Sequence, residues 1–227
     1  MNYKEFESIL TREFPGCTEE TLQRFQKLDA LYRDWNSRIN VISRKDMDGL
    51  YSHHVLHSLA IAAYMKRNGG FPAGSSVLDL GTGGGFPGIP LAILHPEVSF
   101  TLCDSIGKKI KVASGVSEAL GLGNVECVNA RAESLGRKFD WVVSRAVTSL
   151  DNFLPWVKGS YNRGILYLKG GDISAEIDSA VAKCGLRRDS VELWNISEWL
   201  DDEWFSEKYV VGISRQQVVG ISGQGEK

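Results

Sequence analysis

The chain has 227 residues, of which 43% are hydrophobic, and a formal net charge of −2. This length and apolar content exclude a disordered or fibrous protein and allow one large domain with an appendage. The near-neutral charge excludes a protein that holds nucleic acid by overall positive charge, but it leaves room for a local basic patch.

Two absences narrow the class of protein further. No apolar run approaches the roughly 20 residues that span a bilayer, and the opening stretch MNYKEFESIL is too charged for a signal peptide. The four cysteines are far apart and form no C-x-x-C pair, which argues against a zinc site or a disulfide framework. We therefore expect a cytoplasmic protein with reduced thiols, no metal and no membrane partner. We also expect a monomer.

The N-terminal part of the chain shows helical periodicity. An apolar stripe at helical spacing runs from Leu22 to Trp35, and Thr18 is placed to cap the start of that helix. A further helix is predicted from about 46 to 64. We therefore predict an N-terminal helical extension over residues 1–68.

From Ser75 onwards, short apolar runs alternate with amphipathic segments, which is typical of βαβ units in a parallel, doubly wound sheet. The predicted strands are 76–80, 98–103, 125–129, 139–143 and 164–168. The predicted helices are 89–94, 106–120, 148–158 and 173–184. Two last strand-like segments, 187–194 and 205–214, are joined by a short polar connection, so we expect the final strand to be antiparallel to its neighbour.

These elements predict the fold class. A mostly parallel α/β sheet closed by an antiparallel C-terminal strand is the usual shape of S-adenosylmethionine-dependent methyltransferases. We predict this domain over residues 69–219, followed by a flexible tail over 220–227.

The stretch VLDLGTGGGFPG fits two ligand patterns. One is the dinucleotide pattern G-x-G-x-x-G ending at Gly88, and the other is the S-adenosylmethionine pattern D-x-G-x-G-x-G beginning at Asp79. A dinucleotide loop should begin directly after the strand, and its third glycine would then fall on Phe86. The register therefore favours S-adenosylmethionine. The predicted ligand-loop glycines are Gly81, Gly83 and Gly85.

Polar groups end the first three predicted strands. Asp79 would line the loop beside a cationic ligand or hold the glycine turn by accepting backbone N–H bonds; an exposed strand-end acid is the alternative. Asp104 can accept both hydroxyls of a ribose, a role common to nucleotide and S-adenosylmethionine sites, or can cap the next helix. The turn NARAE (residues 129–133) follows where an adenine would lie, with backbone amides near Ala132; a surface R-x-E ion pair is the alternative.

Together these motifs resemble the RsmG (GidB) family, methyltransferases that modify a guanine of bacterial small-subunit ribosomal RNA at N7. The resemblance rests on DLGTGGGFPGIPLAI, TLCDSIGKKIKV, NARAE, FDWVVSRAVTSL and YLKGG, and upstream on RINVIS and HHVLHSLAIA. It covers roughly residues 30–170, and the P-G-x-P after the glycines is more specific than a general methyltransferase motif. The family usually has aspartate where this chain has His57, so the role of that acid does not carry over.

The resemblance implies a Rossmann-like class I methyltransferase that uses S-adenosylmethionine and acts on 16S ribosomal RNA of the small ribosomal subunit. It implies Arg145 and Lys169 as catalytic residues and places His54 close to the donor pocket. The residues assigned to cofactor binding are Asp79, Gly81, Thr82, Gly83, Gly85, Phe86, Asp104, Arg131, Ala132, Glu133 and Arg145. The residues assigned to RNA binding are Arg131, Lys108, Lys109 and Lys208; for Lys108 and Lys109 a solvated helix face is the alternative.

The chemistry agrees with these residue types. Guanine N7 carries a lone pair and no proton, so its methylation needs alignment, a donor near O6 and cations near phosphates, but no general base. Arg145 and Lys169 follow the fourth and fifth predicted strands and so lie at one edge of the sheet. The N-P-P-Y-type loop of exocyclic-amine methylases and the nucleophilic cysteine of C5 methylases are both missing after the fourth strand.

Two alternatives remain at this point. An NAD-dependent reductase shares these strands and glycines, although Asp79 and the antiparallel final strand count against it. A catalytically inactive RNA-binding module would keep the fold and lose the reaction.

Overall fold

The structure, a computed structural model, describes residues 1–215. The tail predicted over 220–227 lies outside the described residues. The strands are β1 Ser76–Leu80, β2 Ser99–Asp104, β3 Val125–Asn129, β4 Phe139–Arg145, β5 Tyr161–Gly170, β6 Val191–Asn195 and β7 Lys208–Ser214. These seven strands form one sheet in the order β3-β2-β1-β4-β5-β7-β6.

The first five strands are parallel, and their carboxyl ends meet at one edge of the sheet. Leu80 pairs with Cys103, and Arg145 pairs with Leu168. β7 is inserted between β5 and β6 and runs antiparallel to both, as predicted for the last two strands. The pairing of Gly170 with Lys208 brings the start of β7 to the same edge. This edge collects the polar groups that the sequence singled out.

The helices are close to the predicted positions except before β1. They are α1 Tyr3–Glu13, α2 Glu19–Arg38, α3 His57–Arg67, α4 Gly88–Leu94, α5 Gly107–Ala119, α6 Leu150–Trp156 and α7 Ser174–Cys184. The Thr18 side chain accepts a hydrogen bond from the backbone N–H of Thr21, which confirms it as the cap of α2. No helix of residues 1–215 is long and apolar enough to cross a membrane.

The single helix predicted from about 46 to 64 is wrong in detail. The chain forms a 3₁₀ turn at Met47–Gly49, then the π-helical segment Leu50–Leu56, and only then α3. A π-helical turn adds a residue per turn to the α-helical spacing and therefore changes which side chains face each other. Here it sets the direction of two adjacent histidines at the sheet edge.

Each face of the sheet is covered by helices, which gives three layers. Strand side chains alternate between the two faces, so Val77 and Phe100 pack on one side and Leu78 and Val142 on the other. Helices α1 to α5 share the first core, and α6 and α7 share the second. The N-terminal helices therefore pack into the same core as the sheet.

Candidate active site

A cavity of about 670 Å³ opens at the carboxyl edge of the sheet, and we call it the glycine-loop cavity. It is bounded by the loop after β1, the ends of β2 and β4, and the turn after β3. The predicted cofactor residues that line it are Gly81, Thr82, Gly83, Phe86, Asp104, Arg131, Ala132, Glu133 and Arg145. Asp79 and Gly85 are not part of the lining.

The loop folds sharply because its alternate glycines adopt a backbone conformation that other residues rarely take. Gly81, Gly83 and Gly85 have φ angles of +72°, +58° and +112°. A Cβ on Gly83 would meet no atom within 4 Å, so its backbone is open to a ligand. Three glycines in this register are therefore a conformational requirement of the turn.

Asp79 holds this turn from below. Its Oδ2 accepts hydrogen bonds from the Thr82 hydroxyl at 2.5 Å and from the Gly88 backbone N–H at 2.8 Å. The side chain is fully buried, and its Oδ1 has no hydrogen-bond partner among residues 1–215. Burial raises the pKa of Asp79 to about 7, although the bonds from Thr82 and Gly88 lower it in part. Of the two roles considered from the sequence, the geometry matches the support of the glycine turn.

Asp104 joins the second strand to the glycine loop. Its Oδ2 accepts from the Gly83 N–H at 3.0 Å, and its Oδ1 accepts from the Ile106 N–H at 2.8 Å. Each carboxylate oxygen has a second acceptor position, and the residue lines the cavity. The carboxylate is thus fixed in place with capacity left for two ligand hydroxyls.

The basic residues near β2 and β3 are divided between the cavity and the surface. Arg131 and Lys109 line the cavity, whereas Lys108 is exposed on the first turn of α5 and does not. No ion pair between Arg131 and Glu133 occurs in the described structure, so the surface-pair alternative is not seen. These cations form one side of the cavity mouth.

Arg145 is the last residue of β4 and lies at the other side of the mouth. Its guanidinium carbon is 5.1 Å from the centre of the Phe86 ring. Nη2 donates to His54 Nδ1 at 3.1 Å and Nη1 donates to the His53 carbonyl at 3.4 Å. Burial lowers the pKa of Arg145 to about 10, so the side chain remains a cation at neutral pH.

Behind Arg145, the π-helical segment brings two histidines to one carboxylate. Asp46 Oδ2 is 2.7 Å from His54 Nε2, and Asp46 Oδ1 is 2.5 Å from His53 Nδ1. Burial and, after it, the neighbouring Arg145 cation lower the pKa of His54 to about 4, although the bond to Asp46 raises it in part. The sequence analysis missed Asp46, because no motif links it to the histidines and only the non-α-helical geometry brings them together.

The N-terminal helices also reach the glycine loop. Tyr32 is fully buried and donates from its hydroxyl to the Gly84 carbonyl at 2.9 Å. Val41 lines the cavity and leaves no room for a Cβ on Gly84, which would lie 2.8 Å from a Val41 methyl carbon. Periodicity identified Tyr32 only as part of an apolar stripe, since its hydroxyl partner is 52 positions away.

Lys169 and Lys208 lie in a different cavity from the glycine loop. This lysine cavity, of about 360 Å³, adjoins the first one at Ala146, which lines both. Lys169 is buried and donates to the Thr148 carbonyl at 2.7 Å, and its Nζ lies 2.7 Å from a Glu176 carboxylate oxygen. The predicted catalytic pair is therefore divided between two neighbouring cavities.

His57 also lines the lysine cavity. It is 7% exposed, and its Nε2 has no hydrogen-bond partner among residues 1–215. Burial lowers the pKa of His57 well below its usual value, and the charges of Arg145 and Lys208 act in the same direction. Unlike an aspartate, this uncharged side chain cannot neutralise either cation.

Within residues 1–215 no three His, Cys, Asp or Glu side chains converge as a metal-binding group.

The sheet order, the inserted antiparallel strand and the cavity at the carboxyl edge define the class I methyltransferase fold. Magnesium protoporphyrin IX methyltransferase from Synechocystis, solved with bound SAM, matches this chain with a TM-score of 0.60. The two sequences are 16% identical, and the match covers 88% of this chain and 99% of that one. At this identity the match shows the fold, and it confirms the predicted fold class.

Sequence comparison narrows the class to a family. The protein-family model for rRNA small subunit methyltransferase G matches residues 20–198. Ribosomal RNA small subunit methyltransferase G from Flavobacterium psychrophilum is 51% identical over 216 residues, covering 91% of this chain and 97% of that relative. The protein of the same name from Christiangramia forsetii is 48% identical over 212 residues, covering 89% and 94%. The chain belongs to this family, which confirms the resemblance predicted from its motifs.

Proposed function

We propose that this protein transfers a methyl group from S-adenosylmethionine to N7 of a guanine in 16S ribosomal RNA of the small subunit. The observation that carries the proposal is the glycine-loop cavity of a family member, with the Arg145 cation at its mouth and the lysine cavity beside it. The names of its relatives support small-subunit ribosomal RNA as the substrate. An NAD-dependent reductase is not favoured by any of these findings.

The glycine-loop cavity fits the cofactor. Asp104 offers acceptors for the two ribose hydroxyls, the open backbone at Gly83 admits close approach, and the turn around Ala132 can contact the base. Bound S-adenosylmethionine would supply an electrophilic methyl group. We assign the cofactor to this cavity, with Asp79 holding the loop from below.

The acceptor base belongs in our proposal on the side of Ala146, where the two cavities adjoin. Arg145 would donate a hydrogen bond to guanine O6, which leaves the lone pair of N7 free to attack the methyl group. N7 carries no proton, so no proton has to be removed from it. Lys208 would add positive charge on the acceptor side, and Lys169, whose charge is paired with Glu176, would line it. These residues thus align the guanine with the methyl group, and none of them has to act as a general base.

The rim supports an RNA substrate. Arg131 and Lys109 line the cavity and Lys108 is exposed next to Lys109, and in our proposal phosphates on either side of the target nucleotide pass along these cations. In our proposal the protein works as a monomer in the cytoplasm, without a metal ion or a membrane partner, and residues 1–68 form its helical extension. A salt-dependent affinity for 16S RNA is the expected sign of these phosphate contacts.

The decisive experiment combines binding with product mapping. Calorimetry should show binding of S-adenosylhomocysteine and no binding of NADH. Labelled methyl groups from S-adenosylmethionine should appear in 16S RNA, and N7-methylguanine-directed cleavage should locate them. NADH binding without S-adenosylhomocysteine binding would indicate the reductase, and RNA binding without methylation would indicate an inactive module.

Replacement of Arg145 tests the acceptor side. Arg145→Ala should lower methyl transfer by at least about tenfold, because a charged hydrogen bond to the base is lost. Arg67→Ala is the control, since Arg67 contacts Glu198 and Trp194, and none of these three residues lines either cavity. Equal methylation by the two variants would remove Arg145 from the proposed mechanism.

A further inference from the structure

The contacts around Arg145 form a directed chain of hydrogen bonds that begins at a carboxylate. Asp46 can only accept, so the proton shared at 2.7 Å must come from His54 Nε2. Arg145 can only donate, so His54 Nδ1 must accept at 3.1 Å. Both bonds are satisfied by one tautomer of neutral His54, with its proton on Nε2.

The surroundings keep His54 in the neutral form that this chain requires. The imidazole is 13% exposed and lies 5.4 Å from the Phe86 ring, between a carboxylate and a guanidinium. Burial and the nearby Arg145 cation hold the pKa of His54 at about 4, so Nδ1 keeps a free lone pair at neutral pH. Without Asp46 the proton could move to Nδ1 and face the N–H groups of Arg145.

We propose that Asp46 and His54 are positioning residues that orient the guanidinium of Arg145 in the glycine-loop cavity, next to Ala146, where the lysine cavity adjoins. Asp46 fixes the tautomer of His54, and His54 holds one edge of the guanidinium while Phe86 supports its face. Two of the five N–H groups of Arg145 are used in these contacts and in the bond to the His53 carbonyl. The other three donate no hydrogen bond to residues 1–215.

The role of Arg145 toward the base rests on the proposed function, whereas the hydrogen-bond chain itself does not. Without its acceptors, a long arginine side chain would sample several rotamers, and ordering it on the substrate would cost conformational entropy. A fixed guanidinium presents its donors before the base arrives. We therefore expect the fixed guanidinium to increase the rate of methyl transfer and to leave the stability of the fold unchanged.

The first test reads the tautomer and needs no enzymatic activity. Long-range proton–nitrogen NMR of the wild-type protein at pH 7 should show His54 protonated on Nε2 and unprotonated on Nδ1. In Asp46→Ala the same spectrum should show a mixture of both tautomers. A wild-type His54 with its proton on Nδ1, or a doubly protonated ring, would overturn the proposal.

The second test separates positioning from packing by methyl-transfer kinetics. His54→Ala should lower kcat/KM for RNA by about tenfold, because the guanidinium loses an acceptor. His54→Asn should recover most of this loss, since an amide oxygen can take the place of Nδ1 but cannot reach Asp46. Asp46→Ala should lower kcat/KM severalfold in the wild type and have no further effect in His54→Asn.

Two controls make the kinetic outcome decisive. His95→Asn removes another histidine paired with a carboxylate, the partly exposed His95 beside Glu97, and should leave the kinetics unchanged. His53→Ala removes the second partner of Asp46, which stacks on Trp204 with a ring distance of 4.3 Å. If His53→Ala reproduces the Asp46→Ala loss, or if that loss persists in His54→Asn, Asp46 does not act through His54.

If the wild type shows the expected tautomer and transfers no methyl group, the proposed function fails and the hydrogen-bond chain stands.

Discussion

At the scale of single residues, Asp79 shows how the glycine turn depends on a carboxyl group in a place where water does not reach. Two hydrogen bonds reach one of its oxygens, from Thr82 and Gly88, and neither comes from a cation. Burial therefore dominates and raises the pKa of Asp79 to about 7. The carboxyl changes its charge in the physiological range while holding the loop.

This pKa predicts a specific pH dependence of stability. The folded protein binds the Asp79 proton more tightly than the unfolded chain, so the resulting stabilisation is present below about pH 4 and is lost as pH rises to about 7. Asp79→Asn carries no titrating group there. We therefore expect the free energy of unfolding of Asp79→Asn, relative to the wild type, to rise from pH 5 upwards. The rise should be about 1.4 kcal/mol per pH unit until the pKa of Asp79 is reached, and should level off between there and pH 8.

Urea denaturation at several pH values measures this difference directly. The exposed Asp178→Asn serves as the control, because its carboxylate lies at the surface, where it pairs with the exposed Arg188. If the free energies of unfolding of the wild type and Asp79→Asn differ by the same amount from pH 5 to pH 8, burial does not raise the pKa of Asp79.

At the scale of elements, the close contact between two helices depends on a glycine, which has no side chain. Gly115 lies in α5 where a Cβ would be 2.1 Å from a ring carbon of Trp35 in α2. Gly115→Ala should therefore lower the free energy of unfolding by about 1–3 kcal/mol, although alanine is the better helix former. Thermal or urea unfolding checks this, with Gly123→Ala as the control that meets no atom within 4 Å. Equal stability of both variants would mean that the indole moves aside without cost.

The contact of α2 with the glycine loop gives a second prediction at this scale. Tyr32→Phe removes the bond to the Gly84 carbonyl and leaves a buried acceptor unsatisfied, which should cost about 1–3 kcal/mol of stability. Because the loop is loosened, S-adenosylhomocysteine should also bind several times more weakly in calorimetry. Tyr64→Phe, which loses a bond to Glu192 elsewhere on the sheet, should reduce stability and leave binding unchanged.

The elements differ in how far the sequence predicts them. β1, the glycine loop and α4 follow from local residue order, because strand end, turn and helix start are adjacent in the chain. The π-helical segment Leu50–Leu56 does not, since its hydrophobic spacing reads as an ordinary helix and its geometry depends on tertiary packing. The contacts of Asp46 and Tyr32 are invisible for the same reason: each joins residues that no local pattern connects.

At the scale of the whole molecule, the N-terminal helices and the sheet share one core. Phe6 of α1 and Phe25 of α2 belong to the same buried cluster as Val77 and Phe100 of the sheet. Tyr32 and Val41 extend this contact to the loop of the glycine-loop cavity. The segment 1–68, which we propose as a helical extension, thus supports the wall of the glycine-loop cavity and should unfold together with the sheet.

This coupling predicts that a ligand in the glycine-loop cavity stabilises helices that touch it only through the loop. Hydrogen exchange with saturating S-adenosylhomocysteine should slow amide exchange in α2 as well as in β1 and β2. The gain should approach about 2.7 kcal/mol at a ligand concentration 100 times Kd, for amides that exchange by global unfolding. For amides that open locally, the gain in α2 of Tyr32→Phe should fall relative to that in β1, because the direct link from helix to loop is removed. Unchanged exchange in α2 of the wild type, with protection confined to the sheet, would show that the helices open independently of the cavity.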